Sequence, residues 1–146
     1  MLTLKDLRVG DVMTANPVTF AETMSLGEAA RLLFERNLSG APVVGADGVL
    51  LSVLSTADVL RALAPAFDGE DVAGYAGRNV GELVRRSAVS CTEDCAVSEA
   101  CKRMVKERVH RLVVVREGKP VGIITSIDAV RAIACLDDLV VDDVRG

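Results

Sequence analysis

The chain has 146 residues, about the length of one ordinary domain, and its 50% hydrophobic content with a formal net charge of -4 excludes global disorder. Only 3% of it is aromatic, with no Trp, so its core must be aliphatic. No uninterrupted apolar run approaches the ~20 residues of a membrane span, the opening residues lack a signal-peptide layout, and a pI near 5.0 argues against general nucleic-acid affinity, so a cytoplasmic, membrane-free protein is expected.

The elements, in chain order, fall into two similar sets. A short segment around Val12 and Met13 leads to the pair Val18-Thr19. An amphipathic helix follows, with Leu26, Ala29, Ala30 and Leu33 at i, i+3, i+4 and i+7, and Ser25 with Glu28 as a capping box. A strand over Ala41 to Val44, a glycine turn at Asp47-Gly48 and a second strand over Val49 to Leu54 run into a helix starting near Thr56. Residues 65–78 (PAFDGEDVAGYAGR), rich in glycine and acid, read as a linker.

The order then recurs. Leu83-Val84 leads to Val89-Ser90, and a helix carries Val97, Ala100, Cys101 and Met104 at the same spacing, with Ala96 where the cap serine stood. A strand over Leu112 to Val115, a turn at Glu117-Gly118, a strand over Val121 to Ile124 and a helix from near Ser126 complete the set. Leu54 to Ala62 matches Ile124 to Ala132 at an offset of 70, while Ser25 to Ala30 matches Ala96 to Cys101 and Leu38 to Val44 matches Val109 to Val115 at 71. One residue is therefore lost near Gly48 and Gly118. The organisation is a first repeat over 1–64, a linker over 65–78, a second repeat over 79–134 and an acidic tail over 135–146. Each repeat is β-α-β-β-α, an α/β unit too small to bury both faces of its sheet, so packing of the copies on each other is expected.

The repeated motifs carry chemistry suited to a nucleotide. Ser55-Thr56-x-Asp58 and Thr125-Ser126-x-Asp128 each lie where a strand ends and a helix begins. Helix-start amides favour an anion, a hydroxyl adds a donor for phosphate, and an acidic residue three positions on can accept from a ribose diol, as one does in dinucleotide-binding folds. An ordinary helix cap explains the same pattern, and the two readings are compatible. His110-Arg111, holding the only His of the chain, precedes the second repeat's strand and suits phosphate, with a solvated strand edge as the alternative. The first repeat has Ser39-Gly40 there, so the two halves are not equivalent.

Paired copies of this pattern resemble the cystathionine β-synthase (CBS) domain pair. The likeness rests on Pro17-Val18-Thr19, Ser39 to Val44, Ser55 to Asp58, His110 to Val115, Gly122 to Ile124 and Thr125 to Asp128, and spans about 110 of the 146 residues. It implies tandem CBS domains with pseudo-twofold symmetry, commonly paired again as a homodimer. It also implies nucleotide pockets in clefts between the two repeats. Ser55, Thr56 and Asp58 would join Val89, Ser90, His110 and Arg111 in one pocket, and Thr125, Ser126 and Asp128 would join Thr14, Val18, Leu38 and Ser39 in the other. The expected ligand is AMP, ADP, ATP or S-adenosylmethionine, and the expected role is regulation of a partner protein. A structural dimerisation module without ligand is the alternative.

Catalysis is not expected. The chain shows neither a nucleophile elbow nor a Walker-type glycine loop, and His110 is the single candidate base. Metal is not expected, because the four cysteines lack paired CxxC spacing. Cys91, Cys95 and Cys101 stand where the first repeat has Phe20, Met24 and Ala30, so they read as small buried hydrophobes, while Cys135 has no assignable role. Lys102, Arg103, Lys106 and Arg108 read as a solvated helix face, and the tail as a solvated end or a dimer contact.

Overall fold

A computed structural model describes residues 3–69, 71–84 and 88–145, the last nine of these for their backbone alone. The chain divides into two compact units. One holds residues 17–88, and the other residues 1–16 together with 89–146.

In the unit of residues 17–88, β2 (Phe20–Ala21) pairs in parallel with β3 (Gly40–Val44), which pairs antiparallel with β4 (Leu50–Ser55). Helix α2 (Leu26–Glu35) makes the β2-to-β3 crossover. Its Leu26, Ala29 and Leu33 are buried, and the Ser25 hydroxyl caps it by accepting from the Glu28 N–H at 3.2 Å. Helix α3 (Thr56–Leu63) follows β4 directly. These elements enclose Phe20, Leu26, Ala29, Leu33, Ala41, Val43, Leu54 and Val59, with Val80 from the four-residue helix α5 (Val80–Leu83).

The other unit builds the same motif with one more strand. Here β5 (Ser90–Cys91) pairs in parallel with β6 (Arg111–Arg116), β6 pairs antiparallel with β7 (Lys119–Thr125), and β1 (Thr14–Ala15) adds to the free edge of β7. Gly122 makes that edge possible, because a Cβ there would meet Met13 Sδ and lie 3.1 Å from the Thr14 carbonyl oxygen. Helices α6 (Val97–Glu107) and α7 (Ser126–Arg145) cover a core of Val9, Cys91, Ala100, Met104, Leu112, Val114, Ile124 and Ala129. Ala96 gives α6 no side-chain cap, as its methyl group dictates.

The short leading helices are exchanged between the repeats. Helix α1 (Val9–Val12) opens the first repeat in sequence but belongs to the second repeat's unit, where Val9 N donates to Cys95 O at 2.8 Å and Gly10 N to Glu93 O at 2.9 Å. Helix α5 does the reverse, with Val80 N donating to Met24 O and Gly81 N to Glu22 O, each at 2.8 Å. The four bonds are related by the 71-residue offset of the sequence repeat.

The one-residue slip lies in the hairpins. The β6–β7 hairpin turns on Glu117 and Gly118 alone, both with positive φ (52° and 78°), the two-residue turn that matches strand twist. The β3–β4 connection is longer, with Gly45 N donating to Val49 O and Asp47 Oδ1 accepting from Val49 N at 3.0 Å. The second helices also end differently. Pro65 lacks the N–H that would continue α3, which closes in a 3-10 turn over Ala64–Ala66. Cys135 stands in the corresponding place and α7 runs on to Arg145, so the segment read as a tail is helical. Its acidic side chains lie outside the described residues. The linker contains a further helical turn, α4 (Val72–Ala76).

Candidate ligand-binding site

In the unit of residues 17–88, β4 delivers Ser55 in extended conformation (φ −101°, ψ 165°) as the N-cap of α3. The Ser55 hydroxyl accepts from Asp58 N at 3.2 Å and donates to Asp58 Oδ2 at 2.9 Å. The same Oδ2 accepts from Ser55 N at 2.8 Å, closing a reciprocal capping box. The other carboxylate oxygen, Oδ1, is held by Arg61 Nη2 at 3.2 Å. Thr56 N donates to Ser39 O at 2.9 Å, which fixes the start of β3 beside the start of α3. The Thr56 and Ser39 residues are exposed, whereas Val18 and Leu38 are half-buried against the unit's core.

The other unit repeats the reciprocal cap with the same atoms. Thr125 N and Thr125 Oγ1 both donate to Asp128 Oδ2 at 2.9 Å, and Asp128 N donates back to Thr125 Oγ1 at 3.3 Å. Arg131 Nη1 lies 3.5 Å from Asp128 Oδ1. Ser126 N donates to His110 O at 2.9 Å, and Arg111 pairs with Thr125 across β6 and β7. Thr14, Ile123, Val113 and Ser90 form one register row across the four strands. Thr14, Ser90, His110, Arg111 and Thr125 therefore gather at one end of this sheet, with exposed His110 and half-buried Arg111 at the rim. Val89, half-buried against the core, accepts from Val113 N through its carbonyl at 3.1 Å.

Three features of these junctions bear on how a ligand could be held. The hydroxyls at 55 and 125 direct their single proton at the neighbouring carboxylate, so in this arrangement neither is a phosphate donor. Two of the first three amides of each helix are also engaged, at Thr56 and Asp58 in α3 and at Ser126 and Asp128 in α7. The motifs are also unequal in exposure: the Asp58 side chain is 35% exposed and that of Asp128 8%. Sequence reasoning passed over Arg61 and Arg131, although both stand three residues after the motif Asp at the 70-residue offset.

Cys91 is buried, and Cys95 and Cys101 are half-buried against the same core. Burial, reinforced by Cys95, pushes the Cys91 thiol up to about 11, and burial also raises Cys101. The thiolate is the reactive form, so at pH 8 an alkylating agent modifies exposed Cys135 first and Cys91 only on unfolding. Peptide mass spectrometry over a time course checks this, and equal rates at Cys91 and Cys135 would contradict it. Lys102, Arg103, Lys106 and Arg108 are exposed; Lys102 pairs with Glu99 at 3.2 Å and Arg103 donates to the Ser90 carbonyl. Among the described residues no group of three His, Cys, Asp or Glu could hold a metal, and no helix is long and apolar enough to cross a membrane.

The family description of the CBS domain matches residues 9–65 and 80–135. Protein MJ1232 of Methanocaldococcus jannaschii is 35% identical over 132 residues, 90% of this chain and 41% of that protein, and MJ1225 of the same organism is 31% identical over 123 residues, 84% and 41%. The chain thus spans about two fifths of the length of these relatives. Among solved structures, the CBS domain pair of protein MJ0100 in complex with 5′-methylthioadenosine and S-adenosyl-L-methionine superposes with a TM-score of 0.74 at 26% identity, covering 87% of this chain and 99% of that one. CBSX2 in complex with AMP gives 0.76 at 27%, covering 89% and 98%. With two matches placed on its two repeats, this chain belongs to the CBS domain family and is a tandem pair of CBS domains.

Proposed function

We propose that the chain is a non-catalytic regulatory module that binds an adenine nucleotide or adenosyl compound at its hydroxyl–carboxylate motifs and conveys the ligand's presence to a partner protein. The observation that carries this reading is the recurrence, in both units, of one carboxylate fixed at a helix start by a backbone N–H and a hydroxyl. Such a carboxylate has its rotamer set in advance and keeps lone pairs on Oδ1 for the hydroxyls of a ribose. The ligands of the similar pairs, AMP in one and 5′-methylthioadenosine with S-adenosyl-L-methionine in another, share that adenosyl group. Ligand contacts centre on Ser55 with Asp58 and on Thr125 with Asp128, with His110 and Arg111 as cations for a phosphate. The working form is a homodimer in the cytoplasm.

The alternative is a dimerisation module without ligand. It is favoured by the same hydrogen bonds, because each motif is also a complete helix cap. Native mass spectrometry of freshly purified protein separates the two, reporting retained small molecules and oligomeric state together. In a chain without Trp, retained nucleotide also stands out as absorbance near 260 nm. The expected result is an adenosyl ligand retained on the protein, or taken up in calorimetric titration with AMP, ADP, ATP or S-adenosylmethionine. No retained ligand and no heat with any of the four would leave the scaffold reading alone.

A further inference from the structure

We propose that Arg61 and Arg131 determine ligand specificity at the two motifs, each guanidinium selecting an adenosyl ligand that carries an anionic group over a neutral nucleoside; this rests on the adenosyl-binding reading above. Anion recognition at a strand-to-helix junction has three usual sources: hydroxyls, helix-start amides and cationic side chains. The first is spent here, since Ser55 and Thr125 donate to their own aspartates. The second is largely spent, since Thr56, Asp58, Ser126 and Asp128 all commit their N–H groups. Cations remain. In both units the cation nearest the carboxylate is an arginine one helical turn on, at 3.2 Å from Asp58 Oδ1 and 3.5 Å from Asp128 Oδ1.

Each arginine is well suited to the role. Its side chain is 69% exposed at Arg61 and 68% at Arg131, so the ion pair is solvent-screened and weak. Of the five N–H donors of a guanidinium, Arg61 commits one to its aspartate, and Arg131 sits in ion-pair range of Asp128 through Nη1. A ribose hydroxyl arriving at Oδ1 takes the place of that donor at little expense. The released guanidinium then lies within a helical turn of the sugar and can grip a phosphate with two parallel bonds. Without an anionic group on the ligand, the same displacement only strips a cation of its partner. The arginine therefore favours a nucleotide and gives a nucleoside no added contact.

The test compares AMP with adenosine, which differ only in the phosphate, by calorimetric titration of the full chain and its Arg61→Gln, Arg131→Gln and doubly substituted forms. The aspartates stay intact and both arginines are exposed, so the variants fold. The expected result is a loss of AMP affinity of at least about tenfold, the scale of one charge-assisted hydrogen bond, with adenosine affinity unchanged or raised. The salt dependence of AMP binding falls in parallel, and Arg61→Lys restores part of the preference. If AMP and adenosine affinities move together, or neither moves, the arginines do not set specificity while adenosyl binding stands. If the wild-type chain binds neither compound, the binding reading itself fails and this inference with it.

Discussion

If the motifs hold an adenosyl ligand as proposed, Asp58→Ala and Asp128→Ala are each expected to abolish AMP binding at their own motif, but they differ in what they do to the fold. Both remove the acceptor shared by a backbone N–H and a hydroxyl. At position 58 water reaches the vacated groups, since the side chain is 35% exposed, and the loss is that of an ordinary helix cap, about 1 kcal/mol. At position 128 the side chain is 8% exposed, so water reaches the vacated space less readily than at position 58, and the loss is larger, about 2–3 kcal/mol. Asparagine separates cap from charge. Its amide oxygen still accepts from the Ser55 or Thr125 N–H, so Asp128→Asn regains much of that stability. A neutral amide is a weaker acceptor for a sugar diol than a carboxylate, so AMP binding still falls. Guanidinium denaturation measures the first quantity and calorimetry the second. Wild-type stability of Asp128→Ala would contradict the buried cap, and wild-type AMP affinity in both alanine variants would remove the aspartates from the ligand site.

Local chemistry explains why the repeated body of the fold was readable from the sequence. Leu26, Ala29 and Leu33 in α2, and Val97, Ala100 and Met104 in α6, show the helical spacing and are buried as that spacing implies. The two hairpins declared themselves through Gly48 and Gly118, both with positive φ. Their different lengths account for the change of offset from 71 to 70. The junctions at Ser55 and Thr125 were legible as both cap and ligand motif, and the capping half is present in both units.

What stayed hidden depends on distant pairing or on an absent signal. Helices α1 and α5 have four residues each, too short for periodicity, and their hydrogen-bond partners lie about 85 and 56 residues away in sequence. Strand β1 has two residues and is defined by β7, more than a hundred positions on. The end of α3 is marked by Pro65, whereas no breaker follows Cys135, so the extent of α7 could not be bounded. The engagement of the Ser55 and Thr125 protons is a matter of rotamer, invisible in a residue pattern.

Phe20→Ala is the substitution with the largest expected cost in stability. Phe20 is fully buried on β2, beside Val43 in the register of β3, within the core that also holds Leu26, Leu33, Leu54 and Val80. It supplies most of the aromatic volume of a core otherwise built from aliphatic side chains. Truncation removes its transfer free energy and leaves a cavity that the β2–β3 pairing keeps from collapsing, a loss of about 3–5 kcal/mol. Against the ~5–15 kcal/mol that stabilises a typical domain, this is a large fraction. The corresponding residue in the other unit is Cys91, 6% exposed, where a single sulfur occupies the place of the ring. Cys91→Ala removes far less volume and costs about 1 kcal/mol. The two variants therefore test whether equivalent positions of a duplicated chain carry equivalent loads. Guanidinium denaturation gives the totals, and hydrogen exchange locates them: in Phe20→Ala, protection falls first at Val43 and Leu54, within residues 17–88. A loss below about 1 kcal/mol for Phe20→Ala, or one equal to that for Cys91→Ala, would show that the ring is not the packing centre of its unit.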